Sequence, residues 1–266
     1  MNINKKTKMY ETIIFEKSNS IATINLNRPE VFNALNGKIL KELHDAFLVC
    51  ENDEEIRVVV LSGGNNKAFS SGADLKSGLD DNNLGNTLRK NYNPLILCMR
   101  NLQKPIICKL NGLAAGAGMS LALACDIIVA DENTYLTELF VGIGLLPDAG
   151  STYFLPRLIG TQKAFELCST GRKVYAKEAL ALGLINYSFP TETLNQEVEK
   201  LATQYANAAT KSIGLMKRLL NQSFSSDLEQ MLELEAQAQT QCGFSSDFVE
   251  GVMAFLQKRS PKFIGK

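Results

Sequence analysis

Short apolar or β-branched runs recur along the first half of the chain, at Thr12–Glu16, Ile21–Leu26, Val58–Leu61, Ile106–Leu110 and Ile127–Ala130, and each reads as a strand. Between them, Gly37–Glu51, Asn86–Leu102 and Met119–Cys125 read as helices. This alternation predicts an α/β protein with mostly parallel strands. The spacing suggests a repeated strand-and-helix turn, although no clear repeat shows in the residues themselves. From about Pro156 onward the pattern is almost purely helical, with candidates at Ala176–Leu182, Leu194–Ala208, Ser212–Ser223, Asp227–Gln241 and Phe248–Lys258. Such a tail is a lid or an assembly surface, so one domain with a helical appendage is expected.

Composition narrows the function. The formal net charge is zero and no long Lys/Arg run is present, so there is no electrostatic footprint for nucleic acid or an anionic membrane, and any phosphate must be met locally. The six cysteines form no Cys-x-x-Cys pair and His44 is the only histidine. That argues against a zinc site or any other metal site, and against Ser–His or Cys–His nucleophiles unless His44 serves them. His44 falls on the polar side of the amphipathic segment Ile39–Leu48. The uncharged stretch Leu110–Cys125 is shorter than the roughly 20 residues that span a bilayer and reads as a buried helix. The polar N-terminus carries no apolar secretory core, and reduced thiols in a cytoplasm are expected.

Two segments look built to aim backbone N–H groups at one oxygen atom. Phe69–Leu75 and Asn111–Ser120 each follow an apolar run and precede a helix, so each can leave amide donors unpaired at a helix start. In the first, a positive φ at Gly72 would free the Ala73 amide to point into a cleft; a plain turn capped by Asp74 or Ser70 fits the same spacing. In the second, Gly112–Gly118 holds nothing larger than Leu113, which permits close approach of a ligand or merely tight packing of elements. Gly116 and Gly118 are followed by Leu121, a poor dinucleotide fingerprint, and no phosphate loop is present. In a third segment, Ile143–Gly160, Asp148 lies between Pro147 and Ala149-Gly150 before a helical stretch, where its plain reading is an N-cap bonding the amides of Ser151 or Thr152. Two converging amides form an oxyanion hole, in which one donor is worth roughly 2.7–4 kcal/mol.

Taken together, Asn27–Leu35, Ala68–Leu75, Lys104-Pro105 with Asn111–Gly118, Ala124–Ile128 and Gly144–Gly150 resemble the crotonase superfamily in order and spacing, over about Tyr10 to Phe263. The resemblance implies an α/β spiral of repeated β-β-α turns over residues 10–200, after an extended or disordered tail at 1–9. Residues 201–266 would form a C-terminal helical region used in trimerisation, giving a homotrimer or homohexamer. It implies acyl-coenzyme A thioester substrates and no separate cofactor, coenzyme A being part of the substrate. The two oxyanion donors carry over as the amides of Ala73 and Ala117, and the shared chemistry is stabilisation of a thioester enolate with a base for the substrate proton.

Hydratases of the superfamily bracket a water with two glutamates, and this chain has Ser120 and Phe140 at those places. Asp148 falls where the superfamily's isomerases carry a catalytic aspartate, and one carboxylate can take a proton from one carbon and return it two carbons away. Walls of Phe140, Leu145 and Leu146 are expected to exclude water and raise its pKa. Glu138, two residues from the missing glutamate, is the rival carboxylate. The segment Pro147–Arg157, with Leu88–Leu95, looks most like isomerases that act on ring-epoxidised phenylacetyl-CoA and on straight-chain enoyl-CoA. The resemblance implies Ser71, Asp74 and Leu75 around the adenine end. Phe255 and Lys258 would reach it from a neighbouring subunit, Phe255 being equally readable as a core helix residue. Gly72, Gly116, Gly118, Ser120, Phe140 and Leu145 complete the expected substrate site, and the Gly78–Gly85 loop is expected to border it. The leading expectation is an acyl-CoA isomerase. The alternatives are an enoyl-CoA hydratase with a displaced acid/base pair and a non-catalytic acyl-CoA-binding subunit.

Overall fold

The computed structural model describes residues 10–76 and 83–266; the tail at 1–9 and most of the Gly78–Gly85 loop lie outside the described residues. The chain opens with an antiparallel hairpin of β1 (Ile13–Ser18) and β2 (Ile21–Leu26). Helix α1 (Gly37–Asn52) starts at Asn36, whose side chain accepts the N–H of Ile39, and buries Leu40, Leu43 and Phe47.

Three turns of similar build follow. The first contains β3 (Val58–Ser62), β4 (Ala68–Ser70) and a helical stretch from α2 (Leu84–Thr87) to α3 (Asn93–Asn101), joined by a π-helical turn at Leu88–Tyr92. The second contains β5 (Ile106–Leu110), β6 (Leu113–Ala115) and α4 (Ala117–Leu123), and the third β7 (Ile127–Asp131), β8 (Tyr135–Thr137) and α5 (Ser151–Ile159). Leu110–Cys125, expected as one buried helix, is therefore a strand end, a second short strand and a helix. Gly112, at φ 70°, makes the bend between the strands.

The remaining elements are α6 (Thr161–Thr170), β9 (Val174–Tyr175), α7 (Ala176–Leu182), β10 (Tyr187–Phe189), α8 (Thr191–Ala206), α9 (Thr210–Gln222), α10 (Leu228–Gly243) and α11 (Ser246–Leu256). Among the described residues the strands form two sheets, ordered β1-β2-β3-β5-β7-β10 and β4-β6-β8-β9. Each turn thus gives its first strand to the large sheet and its second to the small one. The repeat suggested by the spacing is present in space.

The parallel strands β3, β5 and β7 are buried on both faces. Val59, Leu61, Ile106, Cys108 and Ile128 point into the main core. Their neighbours Val58, Val60, Ile107 and Val129 pack on the other face against Leu194, Val198, Ala202 and Ala206 of α8. The C-terminal helices are tied to this core by Lys217 of α9, whose buried Nζ meets Asp126 Oδ2 at 2.7 Å and the Met99 carbonyl at 2.9 Å. Beyond that tie they expose large apolar side chains, Phe224, Leu228, Phe244, Phe255 and Leu256 among them. Phe255 is 83% exposed, so it is not the core residue its helical position allowed.

Candidate active site

The segment after β4 leaves one amide over. Leu35 pairs with Ala73 in an isolated parallel bridge: the Leu35 N–H donates to Gly72 O at 2.7 Å and the Asp74 N–H donates to Leu35 O at 2.9 Å. In such a bridge the central residue's own N–H faces the opposite side. The amides of Ser71, Gly72 and Leu75 are also taken, by Phe32 O, Ser70 Oγ and Ala73 O. Among the described residues the Ala73 N–H has no acceptor, and Ala73 is exposed.

The second donor comes from the next turn. Gly116 gives its N–H to Thr137 O at 2.9 Å, and α4 begins at Ala117, two residues earlier than the pattern of apolar positions predicts. As the first residue of a helix, Ala117 has no intrahelical acceptor for its N–H. Two glycines bring the segments together. A Cβ on Gly72, which sits at φ 95°, would stand 2.7 Å from Ala115 O and 3.5 Å from Ala117 N. A Cβ on Gly118 would stand 2.6 Å from Ser70 O. The Ala73 and Ala117 donors therefore lie on touching segments, at the ends of neighbouring parallel strands β4 and β6.

The third turn supplies carboxylates. Ala149 and Gly150 take φ of 49° and 93°, which reverses the chain between Pro147 and α5. The sequence offered Asp148 as the N-cap of α5, and the structure corrects this. Gly150 occupies the cap position, no side chain caps the helix, and Asp148 contributes only its backbone carbonyl to Ser151 N. Its carboxylate is left over: Oδ1 is buried without a hydrogen-bond partner among the described residues. Burial raises its pKa to about 6. Of the expected walls, Phe140 is buried, with its ring edge 3.7 Å from where a Gly116 Cβ would be, and Leu145 is half-buried. Leu146 is 72% exposed and is not a wall in the single chain, because the turn at Gly144 carries it outward.

Glu138 follows β8 directly and is 1% exposed. Its Oε1 accepts from Ser151 Oγ at 2.7 Å, and Ser151 Oγ lies 2.8 Å from Ser120 Oγ on α4. Burial, and secondly the nearby Asp148 charge, push its pKa up to about 8 against the lowering effect of the Ser151 hydrogen bond. The identities of Glu138, Ser151 and Ser120 gave no hint in sequence that they join. They are separated by 13 and 31 residues, and only the packing of α4 on α5 brings them into line.

The expected coenzyme A residues divide. Ser71 and Leu75 are exposed beside Ala73. The Asp74 carboxylate is engaged by Arg28 at 2.9 Å, with both side chains largely buried, so it orders the loop from behind. Lys258 is exposed at the end of α11, while its neighbour Arg259 is held by both carboxylate oxygens of Glu250.

A family model described as enoyl-CoA hydratase/isomerase matches residues 16–266. The chain is 37% identical over 263 residues to the 1,2-epoxyphenylacetyl-CoA isomerase of Escherichia coli, covering 97% of this chain and 100% of that one. It is 33% identical to the crotonyl-CoA hydratase of Syntrophomonas wolfei, with 97% and 99% covered. A crystal structure of an enoyl-CoA hydratase subunit from Geobacillus kaustophilus superposes with a TM-score of 0.91 at 32% identity, covering 97% of this chain and all of that one. The chain belongs to the enoyl-CoA hydratase/isomerase family, within the crotonase superfamily.

Proposed function

We propose that the protein is an acyl-CoA isomerase that moves a double bond along the acyl chain, or rearranges a ring-epoxidised phenylacetyl-CoA, through a thioester enolate. Relatives carry both isomerase and hydratase names, so the choice rests on the residues present. The observation that carries it is Asp148, a carboxylate freed from capping, with one oxygen buried and unpartnered.

The thioester oxygen sits on the amides of Ala73 and Ala117. Asp148, ionised above about pH 6, takes a proton from the carbon next to the double bond. The C–H electron pair enters the conjugated system, and the negative charge collects on the oxygen held by the two amides. A proton added at the other end of the dienolate completes the shift. A single carboxylate suffices for both ends, since it remains beside the dienolate as the acid. Direct bracketing of a water by two carboxylates is not supported by Ser120 and Phe140. The C-terminal helices, with their exposed phenylalanines, would assemble the chain into trimers, and light scattering should give three chains or a multiple of three.

The test is solvent-deuterium exchange with a straight-chain 2-enoyl-CoA. The expected result is exchange at the α and γ carbons and a shifted double bond without net water addition. Asp148→Asn retaining full turnover would sink the assignment.

A further inference from the structure

The isomerase mechanism leaves Glu138 idle, yet its setting is not that of a packing residue. Glu138, Ser151 and Ser120 are all 1% exposed or less and are joined by contacts of 2.7 and 2.8 Å. Ser151 has one hydroxyl proton and gives it to Glu138, so Ser120 must be the donor to Ser151. The Ser120 hydroxyl has a second acceptor in reach, Gly116 O at 3.3 Å, and the 2.8 Å contact to Ser151 is the shorter of the two, so its proton turns toward the carboxyl when Glu138 is ionised. Ser120 lies one turn into α4 from Ala117, with its N–H on Gly116 O at 3.0 Å, at the root of the segment that supplies the second oxyanion donor.

A structural network would satisfy both oxygens of a buried carboxyl. Here Glu138 Oε2 is buried with no hydrogen-bond partner, and no cation pairs with Glu138 among the described residues. A polar atom left in that state costs free energy and calls for a reason beyond packing.

We propose that Glu138, acting through the hydroxyls of Ser151 and Ser120, is the proton reservoir for the α-carbon of the bound thioester, while Asp148 serves the γ-carbon. Ser120, fully buried without a ligand, is the member on the helix that begins at Ala117 and the one a bound thioester would have to reach. In the deprotonating direction the α C–H proton passes to Ser120 Oγ, the Ser120 hydroxyl proton to Ser151 Oγ, and the Ser151 hydroxyl proton to Glu138 Oε1. The C–H electron pair becomes the enolate on the oxygen held by Ala73 and Ala117. The reverse sequence protonates the α-carbon. This deepens the isomerase reading and rests on it for the γ step only.

The experiment uses two substrates. A saturated hexanoyl-CoA in deuterated water has no double bond to move, so its α exchange, read by mass spectrometry, reports the relay alone. The groups facing Glu138 are the Ser151 hydroxyl on α5, Asp148 in the loop before it and the Cys168 thiol on α6. Exchange should rise with pH through about 8, as Glu138 ionises. Glu138→Gln, Ser151→Ala and Ser120→Ala should each lower it by at least about tenfold with the thermal midpoint held or raised, whereas Gly142→Ala, where a Cβ meets nothing within 4 Å, should leave it in place. The second substrate, a 2-hexenoyl-CoA deuterated at the γ-carbon, should give product with solvent hydrogen at the α-carbon. With Ser151→Ala, deuterium should instead be carried from γ to α by Asp148. No α exchange in the wild type, or undiminished exchange in Glu138→Gln and Ser151→Ala, would overturn the relay. Exchange of hexanoyl-CoA without any double-bond shift would overturn the isomerase reading and leave the relay standing.

Discussion

Gly72→Ala separates the oxyanion donors from everything else in the site. At φ 95° the residue lies outside even the small left-handed region that side chains tolerate, which costs at least about 1–2 kcal/mol. The new Cβ would stand 2.7 Å from Ala115 O, a backbone atom that cannot swing aside. Relief requires the Ser71–Ala73 segment to move away from β6. That movement breaks the short Leu35 N–H to Gly72 O bond of 2.7 Å and turns the Ala73 N–H away from Ala117. Loss of one donor is worth roughly 2.7–4 kcal/mol in the transition state, or about 10²–10³ in kcat. The KM should change far less, because the enolate charge exists only on the way to the transition state. Steady-state kinetics with a thermal melt on the same sample measures both effects. Gly142→Ala is the control, since a Cβ there meets nothing within 4 Å. Wild-type kcat in a folded Gly72→Ala variant would refute the placement of the donor at Ala73.

Two further predictions concern protons. Because Asp148 must be ionised to act and burial raises its pKa to about 6, kcat/KM should rise with pH through about 6 and fall about tenfold from pH 7 to pH 5; a limb near pH 4 would show that the carboxylate is hydrated. Glu138 has its pKa raised from 4.5 to about 8 by folding, so it favours the folded state below the unfolded value, and that advantage is lost as pH rises toward 8. Glu138→Gln should therefore stabilise the fold, by about 3 kcal/mol at pH 7 and by much less at pH 5, as read from chemical denaturation at the two values.

Five of the six strands of the large sheet were legible because five- and six-residue strands survive as a pattern, and Ile106–Leu110 matches residue for residue, whereas the three-residue β10 was not. The small sheet was not, because β4, β6 and β8 have three residues each and β9 two, too few for alternation to show. Helix α5 was legible only as a helical stretch of unstated length after Asp148, because Pro156 lies in its interior, where the lost N–H would ordinarily end a helix. The free amide at Ala73 could be anticipated from the glycine before it, and close approach in Gly112–Gly118 from residue size, whereas Ala117 itself came with the family resemblance. Ser120 stood out in the sequence only as the replacement of a glutamate, and its link to Ser151 and Glu138 emerged once α4 and α5 were seen side by side. Leu146 failed as a wall for a similar reason: apolar character predicts burial on average but not which side of a turn a side chain takes.

The division of each turn between two sheets has a consequence for how such a site can change. The two donors stand at the ends of adjacent rungs, so their separation is inherited from the spacing of about 4.8 Å between hydrogen-bonded strands and needs no side chain to maintain it. The carboxyls enter on the following rung, around the bend from β8 to α5. In the proposed reaction, exchanging residues there would redirect where protons go while the pair of amides stays untouched. One scaffold can in this way hold the intermediate constant and vary its fate.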